Sequence, residues 1–92
     1  MRLIHKFPAV VGTTAQIKVT RDAKIVHFAA QGQELCIWVE FDPSREEEFL
    51  NYRIFATGEP IQPPVELEVG HRASCLMMDG TYVWHLYEVM PR

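Results

Sequence analysis

The residues best able to do chemistry in this chain are four histidines and two cysteines. No histidine stands at a zinc-site spacing from another histidine or from a cysteine. His27 and His85 could still meet Cys36 and Cys75 in space, which leaves a zinc site as an alternative without local support. The chain is therefore expected to hold no metal and no cofactor. Its cysteines are expected to stay reduced, as small apolar fillers.

Nucleophilic catalysis has no clear signature in the sequence. The candidate nucleophiles are Ser44, Ser74, Cys36 and Cys75. None of them lies in a nucleophile elbow or beside an obvious base along the chain. The protein is therefore expected not to be an enzyme. A small hydrolase or isomerase that uses His85 or His27 as its base is the alternative.

Aromatic and cationic side chains make a better case for a binding site. Arg53 stands among aromatic residues just before Thr57 and Gly58, where its guanidinium suits an anion. A nucleotide-type molecule would stack its base on a tryptophan or on Arg53, and backbone amides near Thr57 and Gly58 would hold its phosphate. The predicted ligand-binding residues are Trp38, Arg53, Thr57, Gly58, Trp84 and His85.

The aromatic-rich last strand leaves three interpretations open. It is a strand buried on both faces, one wall of a ligand cleft, or a subunit interface, where Trp, Tyr and Arg are over-represented. The third interpretation would make the protein a homo-oligomer.

An acidic run, Glu46-Glu47-Glu48, is the strongest local charge feature. It is either a solvated turn or an acidic patch that meets a basic partner protein. Glu46, Glu47 and Glu48 are therefore the candidate partner-binding residues.

The elements that must position these residues are strands, because apolar residues alternate with period two along most of the chain. Strands are expected at residues 14–20, 23–30, 34–41, 65–69, 74–78 and 81–89. Gln31-Gly32-Gln33 and Asp79-Gly80 predict tight hairpin turns. Gly70 is a candidate bulge.

The segment after Asp42-Pro43 fits more than one type of element. Ser44 and Glu47 fit a capping box, which predicts one helical turn over residues 44–48. Residues 49–56 are predicted as a strand in preference to a helix, because aromatic and β-branched residues dominate them. The expected fold is all-β, a compact antiparallel barrel or sandwich of six to seven short strands with at most one short helical turn.

Length and charge exclude several classes of protein. Ninety-two residues predict a single domain, residues 1–92, and the net charge of −3 argues against a direct nucleic-acid binder. No stretch is long and apolar enough to cross a membrane or to act as a signal peptide. A cytoplasmic protein is expected.

The order of several landmarks resembles a family of small proteins of unknown function found mainly in bacteriophages and prophages. The landmarks are Ile4-His5-Lys6-Phe7-Pro8, Ala23-Lys24-Ile25, Cys36-Ile37-Trp38, Asp42-Pro43, Arg53-Ile54-Phe55, Thr57-Gly58-Glu59-Pro60, Asp79-Gly80 and Val83-Trp84-His85-Leu86-Tyr87-Glu88. The resemblance implies a phage accessory protein in the host cytoplasm. Such a protein would counter a host defence or process by binding, either blocking a host protein or sequestering a nucleotide-type signal. A minor virion component is a further alternative.

Overall fold

The computed structural model describes all residues, Met1–Arg92, and contains seven strands and no helix. The strands are β1 (Leu3–Pro8), β2 (Ala15–Thr20), β3 (Lys24–Gln31), β4 (Glu34–Phe41), β5 (Glu47–Ala56), β6 (Leu67–Met77) and β7 (Tyr82–Pro91). The all-β prediction is therefore confirmed.

Two antiparallel sheets make up the molecule. One has the strand order β1-β4-β3 and the other the order β2-β5-β7-β6. The sequence predicted either a barrel or a sandwich. The sheets do not close into a barrel, so the architecture is a sandwich. The predicted hairpins, β3–β4 and β6–β7, each lie within one sheet, whereas β2 and β3 belong to different sheets.

The inner faces of the two sheets form one apolar core, as period-two alternation requires. Ile37 and Val39 of β4 meet Ile54 of β5 and Leu86 of β7, and all four side chains are fully buried. Tyr52 joins this core, and its hydroxyl accepts a hydrogen bond from the Val10 amide at 3.0 Å. That bond ties the segment between β1 and β2 to the four-stranded sheet.

The helical turn predicted over residues 44–48 is wrong. The Ser44 hydroxyl does not cap a helix, because it donates to Oδ1 of Asp42 at 2.7 Å, and the Ser44 amide donates to the same oxygen at 2.9 Å. The Arg45 amide donates to the Asp42 carbonyl at 3.1 Å and closes a turn. Strand β5 then begins at Glu47, so residues 49–56 are strand as predicted.

The strand predicted over residues 65–69 begins two residues later than expected. Val65 is 86% exposed and lies in a turn that the Leu67 amide closes on the Pro64 carbonyl at 3.0 Å. Proline lacks the amide proton that a ladder needs, so Pro63 and Pro64 stay outside the strand. Hydrogen bonding next to β7 begins with the Glu66 carbonyl, which accepts the Arg92 amide at 3.0 Å. The bulge predicted at Gly70 lies just beyond it, between His71 and Ala73.

Candidate functional site

Three strands of the four-stranded sheet turn one set of side chains away from the core, and we call this surface the outer face. Strand partners that lie directly opposite each other share a face. The pairing therefore forms two rows across β5, β7 and β6. The first row is Phe55, His85 and Ser74, and the second is Arg53, Tyr87 and His71.

A chain of side-chain hydrogen bonds runs along the outer face. Oγ1 of Thr57 lies 2.7 Å from Nε2 of His85. Nδ1 of His85 lies 2.7 Å from Oγ of Ser74, which in turn lies 3.0 Å from Nε2 of His71. Four side chains from β6, β7 and the end of β5 are thereby linked into what we call the polar chain.

The direction of hydrogen-bond donation along the polar chain is assigned from the Val83 carbonyl at its end. Oγ1 of Thr57 also lies 3.4 Å from the Val83 carbonyl oxygen, which can only accept. We assign Thr57 as the donor to Val83 and the acceptor of Nε2–H of His85, the direction in which the Thr57 hydroxyl makes both contacts. This tautomer, assigned from the network, leaves Nδ1 of His85 to accept the Ser74 hydroxyl proton, and Ser74 accepts from Nε2–H of His71.

The bulge in β6 brings His71 and Ser74 to the same face. Residues three apart in a regular strand point to opposite faces, and the extra residue at Arg72 reverses that parity. Arg72 itself donates to Oε1 of Glu88 at 3.0 Å. Its guanidinium crosses Gly70, where an added Cβ would lie 2.8 Å from Nη1 of Arg72. Glycine at position 70 thus leaves room for the ion pair that flanks the bulge.

Arg53 occupies the other half of the outer face. Its Nη2 donates to Oε2 of Glu59 at 3.1 Å, and its guanidinium lies 5.1 Å from the centre of the Phe55 ring. Oε1 of Glu59 accepts the Ala56 amide at 3.1 Å, so the carboxylate is held from both sides. Nε of Arg53 is buried and has no hydrogen-bond partner. One strong donor of this cation is therefore unused.

A groove of about 320 Å³ lies against Arg53. Its walls are mostly apolar and include the proline-rich segment after β5. The lining residues are Thr14, Arg53, Phe55, Glu59, Pro60, Gln62, Pro63, Pro64, Leu67, Val69 and Val89. A smaller hollow of about 200 Å³ shares Phe55 and Glu59 with it and reaches Thr57, Gly58 and His85. The two hollows make the outer face concave on both sides of Glu59.

The aromatic rings of the outer face pack edge to face against one another. Phe55 meets Tyr87 with ring centres 5.4 Å apart, and Tyr87 meets His71 at 5.2 Å. Phe55 is only 7% exposed although it points away from the core. These contacts restrict the orientation of the His71 ring.

Four of the six predicted ligand-binding residues come together on the outer face: Arg53, Thr57, Gly58 and His85. Trp84 pairs with Ala56 and Cys75 on the inner side of the same sheet and packs against the core, with its Nε1 unpartnered. Trp38 belongs to the other sheet, where its ring lies 5.0 Å from that of His27. Trp38 is therefore apart from the other four, whereas Trp84 lines a separate hollow of about 280 Å³ with Thr57.

The acidic run lies at the start of β5, outside the outer-face hollows. Glu46, Glu47 and Glu48 are all exposed. Glu47 binds Nζ of Lys18 at 2.8 Å, and this hydrogen bond and the charge of Glu47 raise the pKa of the lysine. The Glu46 carbonyl accepts the Arg21 amide at 2.8 Å. Part of the acidic charge is thus neutralised within the chain.

The residues considered as zinc ligands are spread over the molecule. Cys36 and His27 lie in the three-stranded sheet, whereas Cys75 and His85 lie on opposite faces of the four-stranded sheet. Both cysteines are free thiols, and burial raises the pKa of Cys75. No group of three His, Cys, Asp or Glu side chains is close enough together to hold a metal ion.

The sequence named Ser74 as a candidate nucleophile but did not group it with the predicted ligand-binding residues, and it gave no indication of His71 or Glu59. A signal for Ser74 was present, because counting outward from the Asp79-Gly80 turn places Ser74 opposite His85. Placing His71 on the same face as Ser74 required the position of the bulge. Predicting the contact of Glu59 with Arg53 required the conformation of the segment after β5, which the sequence pattern does not define.

The full length of the chain, residues 1–92, matches the family model described as a domain of unknown function (DUF7352), and the chain belongs to this family. No curated protein and no solved structure matches the chain. No helix of the structure is long and apolar enough to span a membrane.

Proposed function

We propose that this member of a family of unknown function is a binding protein for a small anionic molecule of the nucleotide type. The ligand would occupy the groove beside Arg53 on the outer face. The observation that carries the proposal is the unpartnered Nε of Arg53 next to a concave, mostly apolar surface. A buried donor without a partner favours a ligand that supplies an acceptor.

The anionic part of the ligand is placed by Arg53. Arg53 lines the groove, and the guanidinium N–H groups that Glu59 does not hold would donate to a phosphate or carboxylate oxygen there. A charge-assisted hydrogen bond from a guanidinium is among the stronger polar contacts available to a ligand. Thr57 and Gly58, in the adjoining hollow, lie where a second phosphate of a dinucleotide would reach.

The apolar part of the ligand is placed by the proline-rich wall. Pro60, Pro63 and Pro64 line the groove together with Leu67 and Val89. A flat ring fits between such surfaces, and about 320 Å³ is at the lower end of the size range of ligand sites, about 300–1,000 Å³. The groove thus offers one cationic and one apolar region, as a nucleotide requires.

The biological part of the proposal is a phage accessory protein in the cytoplasm of the host. There it would sequester a nucleotide-type signal of a host defence. Blocking a host protein through Glu46–Glu48 is the less favoured variant, because Lys18 already binds Glu47. A homo-oligomer formed through exposed strand edges is part of the same proposal, and sedimentation tests it. A virion component would instead be found in purified particles.

Calorimetry with cyclic dinucleotides and ADP-ribose tests the binding proposal. The wild-type chain should give saturable heat with at least one of them. Arg53→Gln should weaken that binding about tenfold to a hundredfold, because it removes a charged hydrogen bond. Arg2→Gln is the matched control, since Arg2 lies in the other sheet region and binds Glu40. Absence of heat with every probe, or unchanged binding by Arg53→Gln, would overturn the proposal.

A further inference from the structure

A second site lies on the outer face beside the groove, and it consists of the polar chain. Ser74 is the only member with a hydroxyl placed between two imidazole nitrogens, at 2.7 Å from His85 and 3.0 Å from His71. The Arg53 groove does not include Ser74 or His71. We propose that Ser74 is a nucleophile that attacks small activated esters, an activity beyond nucleotide binding.

His85 is the base of this site. The polar chain makes its Nδ1 the acceptor of the Ser74 hydroxyl proton, at a distance suited to proton transfer. As Oγ bonds to the ester carbonyl carbon, the proton moves to Nδ1, and the C–O bond to the leaving alcohol breaks as that alcohol takes the proton. Water then attacks the acyl-serine, gives its proton through His85 back to Oγ, and releases the carboxylic acid. Every bond formed is balanced by one broken, with water as the only co-reactant.

Thr57 is a positioning residue for His85. Its hydroxyl holds Nε2–H at 2.7 Å and is itself turned toward the Val83 carbonyl. This contact keeps the imidazole in the tautomer whose Nδ1 is free to accept, the role that a carboxylate has in hydrolase triads. A neutral hydroxyl supports a weaker base than a carboxylate, so slow turnover is expected.

His71 supplies the donor for the oxyanion. Its Nε2 lies 3.0 Å from Oγ of Ser74 and donates to it in the direction assigned to the polar chain. When Oγ becomes bonded to carbon, the carbonyl oxygen next to it comes within reach of that N–H. Tyr87 contacts the ring edge to face and holds His71 in place.

An apolar surface for the acyl group of the ester lies next to Ser74 and His85 on the outer face. Leu76 and Val83 are strand partners, each two residues from Ser74 or His85, and Leu76 is 64% exposed. Side chains two apart in a strand share a face, so both lie beside the nucleophile. The expected substrates are therefore esters of short apolar acids with good leaving groups.

A fluorophosphonate probe read by intact mass and peptide mapping tests the nucleophile. Ser74 displaces fluoride from phosphorus, so the wild-type chain should gain one phosphonyl group at Ser74. Ser74→Ala should remove the label, and Ser44→Ala, an exposed serine bound to Asp42, should keep it. Label on another residue, or none, would overturn the proposal. No nucleotide is used, so this outcome is separate from that of the groove.

Hydrolysis of p-nitrophenyl acetate tests the roles of the other members. His85→Asn should slow acylation about a hundredfold or more, as loss of a general base does, whereas His27→Asn on the other sheet should not. Thr57→Val should shift the pH profile of the reaction, and Thr57→Ser should restore it. Circular dichroism establishes that each variant is folded. Equal rates in wild type and His85→Asn would overturn the assignment.

Discussion

Ser74 and His85 are strand partners, four pairs from the turn that joins β6 to β7. The turn determines this register, so their 2.7 Å contact depends on Met78–Thr81 as much as on the two residues themselves. Met78, Asp79 and Gly80 all have positive φ, with Gly80 at 86°. The chemistry of the outer face is therefore coupled to a remote and exposed turn.

Replacing Gly80 should destabilise the fold through the backbone alone. An added Cβ meets no atom within 4 Å, so only the left-handed φ is penalised. Gly80→Ala should lower the free energy of unfolding by about 1–2 kcal/mol, and Gly80→Asn by less, because asparagine tolerates this region. Urea denaturation measures both. Equal losses in the two variants would contradict the conformational explanation.

Leu86 should be the most sensitive of the β7 positions. Its side chain is fully buried on the inner face. Leu86→Ala should therefore lower the free energy of unfolding by about 2–5 kcal/mol. Leu76→Ala, at a leucine that is 64% exposed, is the matched control and should change stability by about 0.5 kcal/mol or less. If Leu76→Ala lowered the free energy of unfolding as much as Leu86→Ala does, Leu76 would have to be buried in solution.

Glu59 should oppose anion binding, because it competes with the ligand for Arg53. Glu59→Gln keeps an acceptor for the Ala56 amide and removes the charge that neutralises the guanidinium. Binding of ADP-ribose in calorimetry should tighten about threefold or more, the scale of one partly exposed ion pair. Glu66→Gln, an exposed turn residue, makes the same change in net charge and should have no such effect. Weaker binding by Glu59→Gln would show that the carboxylate helps to hold the ligand.

Ser44 should control the titration of Asp42. Hydrogen bonds from the Ser44 hydroxyl and then its amide lower the pKa of Asp42 from its ordinary value of 3.8 to about 2. Because the folded pKa is the lower one, the stabilisation is present above pH 3.8 and is lost as the pH falls toward 2. Ser44→Ala should raise the Asp42 pKa in a carboxyl NMR titration. An unchanged pKa would assign the effect to the backbone amide.

Local patterns were sufficient to predict the strands that alternate most clearly. Glu34–Phe41 and the two hairpin turns follow from alternation and from glycine at positive φ. Strand β1 was missed, because only Leu3 and Phe7 of its six residues are even half-buried and no apolar stripe marks it. The division into two sheets depends on long-range pairing. The Arg21-Asp22 turn joins strands of different sheets, and nothing in its residues says so.

The candidate site was predictable only where it depends on alternation within one strand. Trp84 and His85 are neighbours in one strand, so alternation alone placed them on opposite faces. The grouping of Arg53 with Thr57 and His85 needed the β5–β7 register, which is long-range. Trp38 was excluded from the site only when its sheet was known.

The order in which the polar chain assembles during folding follows from the spacing of its members. The Ser74–His85 contact joins residues 11 apart within one hairpin, whereas the Thr57–His85 contact joins residues 28 apart. Closing the longer loop costs about 0.8 kcal/mol more conformational entropy, from the logarithmic dependence on loop length. The shorter loop therefore favours earlier formation of the hairpin contact, whereas the Thr57 contact that orients the imidazole requires β5 to dock on β7.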